Sequence, residues 1–459
     1  MRPTREEFGT VYGQGEEACY SLIAELFDRV EALEAQLGAR SATSRNSSTP
    51  PSQDPFREKP KRKKQRKRRR DHHRGGRELL PLTAGDKVVD LRPATCSCCG
   101  LPLHPASQHV GAPGRYQQVE IPAPERELTE WRAHRLRCGG CGSVTKAPVP
   151  PEALQRFGPR LQAAIAALGA DKRQTDRQLQ QLLSDFYNIT VSAGQIVNIR
   201  RRVGEALAPA AQRLKAEILT RAAVFADETS WRVARARAYL WGLFSRDAAY
   251  YEVHTTRSGT VAEQLIPIGY VGVVHTDDYG GYNHIAPGRR QLCWAHIRRH
   301  FQARAEARDG PGAASERDFG ERGLAICERV FKLARKSTGP QRERLIADLD
   351  ALVRDGLAVG ATKGTRTMAA TLRRRRGSLW HCLYNADVDA TNNHAERFIR
   401  PAVIKRKLSL GSGSQGGADA LAALMSVATT ARMRGLSPYA FIEQTLRAAQ
   451  TGQELPQMA

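Results

Sequence analysis

Apolar residues follow different spacings along this chain of 459 residues, and each change of spacing indicates a new domain. From Cys19 to Leu37 they recur at alternating intervals of four and three, which predicts a coiled-coil helix that ends at Gly38. A dimer zipper and packing against the chain's own body both fit so short a segment. We therefore assign residues 1–40 to a coiled-coil helix.

A helical period returns in residues 151–217. Arg177–Tyr187 carries leucines at helical spacing, and Ser192 is placed to cap a second helix that bears Arg200 and Arg201. This resembles a helix-turn-helix, whose second helix would enter the major groove of DNA. An ordinary helical hairpin fits the same pattern.

After residue 217 the pattern becomes that of short strands with one helix between them. The predicted strands are Ala223–Asp227, Ala238–Ser245, Ala249–His254, Gly272–Asp277 and Gln291–His296, with a helix at Thr260–Leu265. Three antiparallel strands, a crossover helix and two more strands form the order of a ribonuclease-H-like domain. Helical spacing resumes from 305 to 376, which predicts a helical insertion.

The predicted fold class is therefore α+β multidomain, with a ribonuclease-H-like mixed-sheet core interrupted by helices. The predicted domains are a coiled-coil helix (1–40), a disordered basic linker (41–85), a zinc ribbon (86–150), a helical DNA-binding region (151–217), the first part of the core (218–304), the helical insertion (305–376), and the second part of the core with C-terminal helices (377–459).

Net charge points to a polyanionic partner. The chain holds 71 Lys and Arg against 47 Asp and Glu, a formal charge of +24. Residues 57–77 alone contain thirteen basic residues and two acids, and the run that includes Lys61, Arg62, Lys63 and Lys64 should be disordered until phosphates neutralise it. No apolar run is long enough to span a membrane, and no signal peptide is visible, so we expect a soluble intracellular protein.

Two cysteine pairs predict a structural zinc site. Cys96 and Cys99, then Cys138 and Cys141, form CxxC knuckles, each followed by glycine. Four thiolates at these spacings would close one tetrahedral Zn²⁺ site, although Cys98 could replace a neighbour. Between the knuckles, strands are predicted at Tyr116–Ile121 and Leu128–Leu136, which would make an extended ribbon hairpin.

Three carboxylates predict a second metal site. Asp227 ends the first strand of the core and Asp277 ends the fourth, so parallel pairing of these strands would bring both into one crevice. Glu396 would add a third carboxylate from a helix on which Asn392 and Arg400 share its face. Such oxygen ligands suit two Mg²⁺ or Mn²⁺ ions acting in displacement at phosphorus.

Basic residues surround these acids and predict contacts with DNA phosphates. The glycine-rich segment Gly411–Gly417 would let the backbone come close to DNA, whereas Cys293 and His296 are expected to be a packed thiol and a hydrogen-bonded imidazole. The predicted phosphate-binding residues of the core are Arg298, Arg299, Arg397, Arg400, Lys405, Arg406 and Lys407.

The segments around Asp227, Asp277, Cys293–Phe301 and Asn392–Arg397 resemble those of the insertion sequence 66 family of bacterial transposases. The zipper, linker, basic run and zinc ribbon resemble the same family. The family usually has Gly at the position of Asp278, so whether Asp277 or Asp278 binds metal stays open, and register favours Asp277.

The resemblance implies that Asp227, Asp277 and Glu396 form the DDE triad of a DNA transposase. Such an enzyme would bind terminal inverted repeats, cleave the strand at each end with two divalent metal ions, and join the 3′ hydroxyl to target DNA. We expect a nucleoid-associated protein of the bacterial cytoplasm, a homo-oligomer, with small companion proteins of the same element as further partners.

Two other functions fit the same motifs. One is a zinc-containing DNA-binding regulator with an inactive ribonuclease-H-like core, which would have no reason to keep three carboxylates together. The other is a nuclease that cleaves DNA without joining strands.

Overall fold

The structure is a computed structural model that describes residues 12, 13, 15, 79–104, 110–112, 114–121, 126–334 and 336–458. The predicted zipper from Cys19 to Leu37 and the basic run that holds Lys61–Lys64 lie outside these residues. The chain divides into two compact units, one of residues 56–127 and one of residues 1–55 with 128–459, and the boundary between 127 and 128 falls within the predicted ribbon.

The extended hairpin predicted for the ribbon is not formed. Residues 116–121 contain no strand, and Leu128–Leu136 contributes only the start of a short strand, β1 (Arg135–Arg137), which pairs antiparallel with β2 (Val144–Lys146). The apolar side chains that suggested strands, such as Ile121 and Leu128, are about four-fifths exposed. Without an apolar surface to cover them, their alternation does not produce a sheet.

The helical region contains α1 (Pro159–Ala170), α2 (Asp176–Tyr187) and α3 (Ala193–Ile218), which confirms the two predicted helices. Asn188 ends α2 in the left-handed conformation, and the Ser192 hydroxyl accepts a hydrogen bond from the Gln195 amide to start α3. Their leucine and isoleucine side chains enter the core that lies under one face of the sheet.

The central sheet has five strands: β3 (Ala223–Val233), β4 (Ala236–Phe244), β5 (Ala249–His254), β6 (Val273–Thr276) and β7 (Arg290–Leu292), with helix α4 (Gly259–Leu265) between β5 and β6. Their order in the sheet is β5-β4-β3-β6-β7. Antiparallel pairing joins β3 to β4 and β4 to β5, whereas β3 pairs parallel with β6 and β6 pairs parallel with β7.

One predicted strand is shorter than expected. Gln291–His296 was expected to be extended, but β7 ends at Leu292 and helix α5 (Trp294–Ala305) begins two residues later. Cys293 precedes the helix, and the backbone amide of Trp294 donates to the carbonyl of Ala390 rather than to a neighbouring strand. His296 therefore lies on the first turn of a helix.

The region predicted as a helical insertion is helical. It comprises α6 (Ala313–Leu333), α7 (Gly339–Leu357) and α8 (Lys363–Arg374), followed by the short α9 (His381–Tyr384). These helices and α5 share an apolar core that includes Trp294, Phe301 and Phe319. The insertion is thus packed through α5 against the parallel edge of the sheet.

Three C-terminal helices complete the unit: α10 (Asn393–Ser409), α11 (Gln415–Met433) and α12 (Pro438–Thr451). Phe225 on β3 belongs to a core with Ala395 and Ile399 of α10, whereas its neighbours Val224 and Ala226 face the core that contains α3. Alternation along β3 therefore assigns each residue to one of two covered faces. None of the helices in the described part of the chain is long and apolar enough to cross a membrane.

Candidate active site

The two aspartates meet because β3 and β6 run parallel. Phe225 and His275 form the last pair of this parallel ladder, and Asp227 and Asp277 lie two residues further along each chain. The prediction that Asp227 ends its strand is wrong, because β3 continues to Val233, whereas Asp277 directly follows β6. Asp227 shares the face of Phe225, which α10 covers. One carboxylate oxygen of Asp277 accepts a hydrogen bond of 2.9 Å from the amide of Tyr279, which fixes the start of the loop after β6.

Helix α10 brings Glu396 close to both aspartates. Asn392, directly before the helix, is buried, and its side-chain amide donates to the carbonyl of Ala226 at 2.8 Å. The Asn392 backbone amide donates to Cys293 Sγ at 3.1 Å. These contacts fix the first turn of α10 beside Asp227, so Asn392 serves as an anchor for the helix that bears Glu396.

The electrostatics show that the carboxylates are crowded. Burial, then the charges of Glu228, Asp277 and Glu396, raise the pKa of Asp227 well above its ordinary value. Burial also raises the pKa of Glu396, with Asp277 adding to the shift and Arg299 opposing it. Among the described residues, none forms a hydrogen bond with the buried Glu396 Oε1. Such a group of acids fits a divalent cation, which would neutralise it and provide the missing partner.

Asp278 faces a different part of the protein. Its Oδ1 lies 2.7 Å from Nε of Arg375, the residue that ends helix α8 of the insertion. Asp277, in contrast, interacts electrostatically with Asp227 and Glu396. The arrangement favours Asp277 as the residue that completes the carboxylate group, in agreement with the register argument.

Glu228 is a functional candidate to which the sequence analysis gave no role. It lies on the opposite face of β3 from Asp227, with a side chain only 2% exposed. Tyr282 donates its hydroxyl proton to Glu228 Oε2 at 2.6 Å, and Arg257 donates from Nε at 2.9 Å while stacking on the Tyr279 ring. The signal was present in the sequence, since a second acid follows Asp227 and two tyrosines follow Asp277.

A cleft of about 800 Å³ opens beside Glu396 between α5, the end of α6 and the start of α10. Arg298 and Arg299, two of the predicted phosphate-binding residues, line this cleft together with Glu396. Its other lining residues are Ala295, Gln302, Glu306, Phe331, Thr391 and Asn393.

The cations predicted on α10 have different environments. Arg397, Arg400 and Lys407 are exposed, and Arg406 donates to the backbone and hydroxyl oxygens of Ser230. A phosphate contact does not fit Lys405, which is 3% exposed and donates from Nζ to the carbonyl of Gln174 at 2.9 Å.

The two arginines predicted on α3 also differ. Arg200 lies 2.6 Å from Asp176 of α2, with a side chain 17% exposed, so it serves to join the two helices. Arg201 is exposed on the same helix, 3.9 Å from Glu205. Only Arg201 of this pair is available to a phosphate.

The Gly411–Gly417 segment is held more tightly than predicted. Gly411 has φ +115°, and a β-carbon there would lie 2.4 Å from the carbonyl oxygen of Arg232. Ser412 exchanges backbone hydrogen bonds with the turn between β3 and β4, and Ser414 caps α11. The segment therefore connects α10 to α11 against the sheet, and its last three residues are helical.

The four predicted zinc ligands belong to two CxxC knuckles, one in each compact unit. The Cys96 carbonyl accepts a hydrogen bond from Gly100, and that of Cys138 from Gly142, so each glycine closes a tight turn with positive φ. Hydrogen bonds from the neighbouring Cys99 and Cys98 lower the pKa of Cys96, and the Ser143 hydroxyl and amide lower that of Cys141 to about 7. Lowered thiol pKa values favour the thiolate that binds zinc, while the zinc site itself stays a prediction.

Fold and site together define a basic α+β protein whose acids gather where the parallel pairing of two strands ends. A family model described as "Transposase IS66 family" matches residues 155–420. The chain belongs to this family, whose name denotes DNA-processing enzymes. Residues 14–78 match a second model, described as "Family of unknown function (DUF6444)".

Curated relatives come from Sinorhizobium fredii (strain NBRC 101917 / NGR234) and are themselves uncharacterized. The proteins y4qI, y4hP and y4jD are 27%, 25% and 24% identical to this chain. The matches cover 72%, 79% and 80% of this chain and 67%, 71% and 77% of the respective relatives.

Proposed function

We propose that this protein binds the terminal inverted repeats of an insertion sequence, cleaves the DNA strand at each end and joins the 3′ hydroxyl to target DNA. One observation carries the proposal: Asp227 and Asp277 each lie two residues beyond the last parallel pair of β3 and β6, and α10 brings Glu396 close to both. A protein that only binds DNA has no need for acids that repel each other at one point.

The topology supports a ribonuclease-H-like core. Three antiparallel strands, a helix and two parallel strands follow in chain order, and the insertion precedes the helix that bears the third acid. In this arrangement Asp227, Asp277 and Glu396 are the proposed DDE triad.

The residues fit Mg²⁺ or Mn²⁺, because carboxylate oxygens are hard ligands and Glu396 Oε1 is buried with no hydrogen-bond partner among the residues that the structure describes. Two bound ions would stabilise negative charge on the attacking and leaving oxygens of phosphoryl transfer. The protein's own contribution is to hold the acids in place through Asn392, and to set Arg299 against Glu396 at the cleft.

Exposed cations support a DNA surface that begins at this cleft. Arg298 and Arg299 line it, and Arg397, Arg400 and Lys407 continue along the exposed side of α10. Phosphate contacts from these residues would position the duplex without reading its sequence. Arg201 of α3 and the linker residues from Lys61 to Lys64 are further proposed contacts with DNA. The proposal also includes self-association and binding to companion proteins of the same element.

The test uses purified protein, duplex DNA that ends in the inverted repeats of the element, and Mg²⁺ or Mn²⁺. The Asp227→Asn and Glu396→Gln variants should bind this DNA without cleaving it, whereas Glu443→Gln, a change at an exposed ion pair on α12, should cleave normally. Full cleavage by either site variant rules out the triad. Binding without cleavage by the wild-type protein indicates a regulator, and cleavage without joined product indicates a nuclease.

The zinc ribbon has a separate test. Metal analysis of the protein with Cys138→Ser and Cys141→Ser should show the loss of one tightly bound Zn²⁺ relative to the wild-type chain. Equal zinc in both proteins removes the ribbon from the proposal.

A further inference from the structure

Cys293, His296 and Glu396 bring three different metal-binding groups together. One ligand atom from each, the thiol sulfur, an imidazole nitrogen and a carboxylate oxygen, lies within 4.8 Å of the other two. His296 Nε2 is 3.7 Å from Glu396 Oε1. In a tetrahedral zinc site, bonds of about 2.0–2.3 Å hold the ligand atoms roughly 3.3–3.8 Å apart, so small side-chain adjustments suffice.

The polar atoms of this cluster do not satisfy one another. A His–Glu separation of 3.7 Å is too long for a hydrogen bond. Glu396 Oε1, which faces His296 Nε2, is buried without a hydrogen-bond partner in the described part of the chain, and so is the other ring nitrogen, His296 Nδ1. The sequence expectation of a hydrogen-bonded imidazole at His296 is therefore wrong, and a shared cation explains the spacing better than packing does.

The backbone fixes the thiol at this point. Cys293 is 2% exposed and lies between β7 and α5, where its amide donates to the carbonyl of Thr276. Its sulfur accepts the Asn392 amide at 3.1 Å, a contact of the kind that supports metal-bound thiolates. The three-residue spacing to His296 puts both side chains on one side of the first turn of α5.

We propose that Cys293, His296 and Glu396 bind Zn²⁺, with release of the thiol proton to solvent. Thiolate and imidazole ligands select zinc over Mg²⁺, so this site is chemically distinct from the all-carboxylate one. It also differs from the ribbon, whose ligands are four cysteines. Since Glu396 is shared, bound Zn²⁺ withdraws it from Asp227 and Asp277 and stops cleavage; this consequence rests on the proposed function, whereas the binding does not.

Cobalt titration of the full-length protein tests the binding, because a thiolate bound to Co²⁺ gives a charge-transfer absorption. Wild-type protein should bind one equivalent more than Cys293→Ser, and this difference should persist when Cys138 and Cys141 are also replaced by Ser. Cys327→Ser, at an equally buried cysteine of α6, is the matched control and should bind as the wild type does. His296→Gln provides a second variant with a milder effect on folding.

Equal cobalt stoichiometry and equal charge-transfer absorption in the wild type, Cys293→Ser and His296→Gln overturn the site. Inhibition is read as the ratio of Mg²⁺-dependent cleavage with and without one added equivalent of Zn²⁺ in each protein. We expect at least a tenfold loss in the wild type and less than a twofold loss in Cys293→Ser. Zinc-insensitive cleavage by a wild-type protein that binds the extra cobalt overturns the competition for Glu396. If no protein cleaves DNA, the proposed function fails while the titration still decides the zinc site.

Discussion

Replacing Asp227 by Asn should stabilise the protein in the absence of divalent metal, although it removes a proposed metal ligand. The Asp227 carboxyl is buried near three other acids, and these together raise its pKa well above 3.8. A group whose pKa is raised on folding binds its proton more tightly in the folded state. The free energy of unfolding therefore falls as the pH rises above 3.8, and Asn, which has no proton to lose, avoids this loss.

The size of the effect follows from linkage. One group changes the free energy of unfolding by at most about 1.4 kcal/mol per pH unit. Between pH 4 and pH 7 the wild type can therefore lose up to about 4 kcal/mol that the Asn variant keeps. Mn²⁺ at about one hundred times its Kd would stabilise the wild type by roughly 2.7 kcal/mol and the variant by much less.

Urea unfolding followed by tryptophan fluorescence measures both effects, since Trp231, Trp241 and Trp294 are buried in the unit that holds the site. The measurements are made at pH 5 and pH 7, each with and without Mn²⁺. Asp185→Asn, at an exposed position on α2, should behave as the wild type does. Without metal at pH 7, an Asp227→Asn variant less stable than the wild type refutes the crowding of like charges. Equal stabilisation of both proteins by Mn²⁺ refutes the ligand role.

Three further predictions follow from contacts around the site. A double-mutant cycle on Asp278→Gly and Arg375→Ala, measured by urea unfolding, should give a coupling free energy of about 0.5–1 kcal/mol, because the pair is partly exposed. The Asp278→Gly variant should still cleave DNA. Tyr282→Phe leaves the buried Glu228 without its phenol donor and should cost about 1–3 kcal/mol of stability, measured in the same way. Burial lowers the pKa of Lys405 to about 8, so the free energy of unfolding of the wild type should rise relative to that of Lys405→Met between pH 8 and pH 10. The two proteins should bind DNA with the same affinity at pH 7, measured by fluorescence anisotropy, because Lys405 donates to the Gln174 carbonyl and not to phosphate.

The sequence predicts the elements of the core well because their patterns are local. Val224, Phe225 and Ala226 of β3 and Val274 of β6 are fully buried. The acids that follow these apolar runs become neighbours through the register that parallel pairing imposes. Strand limits are harder to predict. The run from Gln291 to His296 has no break in its pattern, and only the contacts of Cys293 and Trp294 with distant backbone groups turn it into a helix start.

The role of a side chain depends on the direction in which it points, and the amino-acid composition of a segment does not contain this information. Lys405, Arg406 and Lys407 are adjacent and look equivalent in the sequence. Successive residues of a helix point about 100° apart, so the first reaches Gln174, the second reaches Ser230 and the third faces solvent. A basic run on a packed helix can therefore contribute only part of its charge to a DNA surface.

Arg290 shows how the protein holds repelling acids together without neutralising them. Arg290 is the first residue of β7, and its side chain is buried. The guanidinium donates to the Thr276 hydroxyl and to the carbonyls of Asp277 and Tyr279, at 2.8 to 3.0 Å. Its hydrogen bonds fix the backbone of the loop and leave the Asp277 carboxylate unpaired with it. Asn392 likewise fixes α10 through uncharged contacts. Because these contacts go to backbone and hydroxyl groups, they hold the acids in place without using the carboxylate oxygens that a cation would bind.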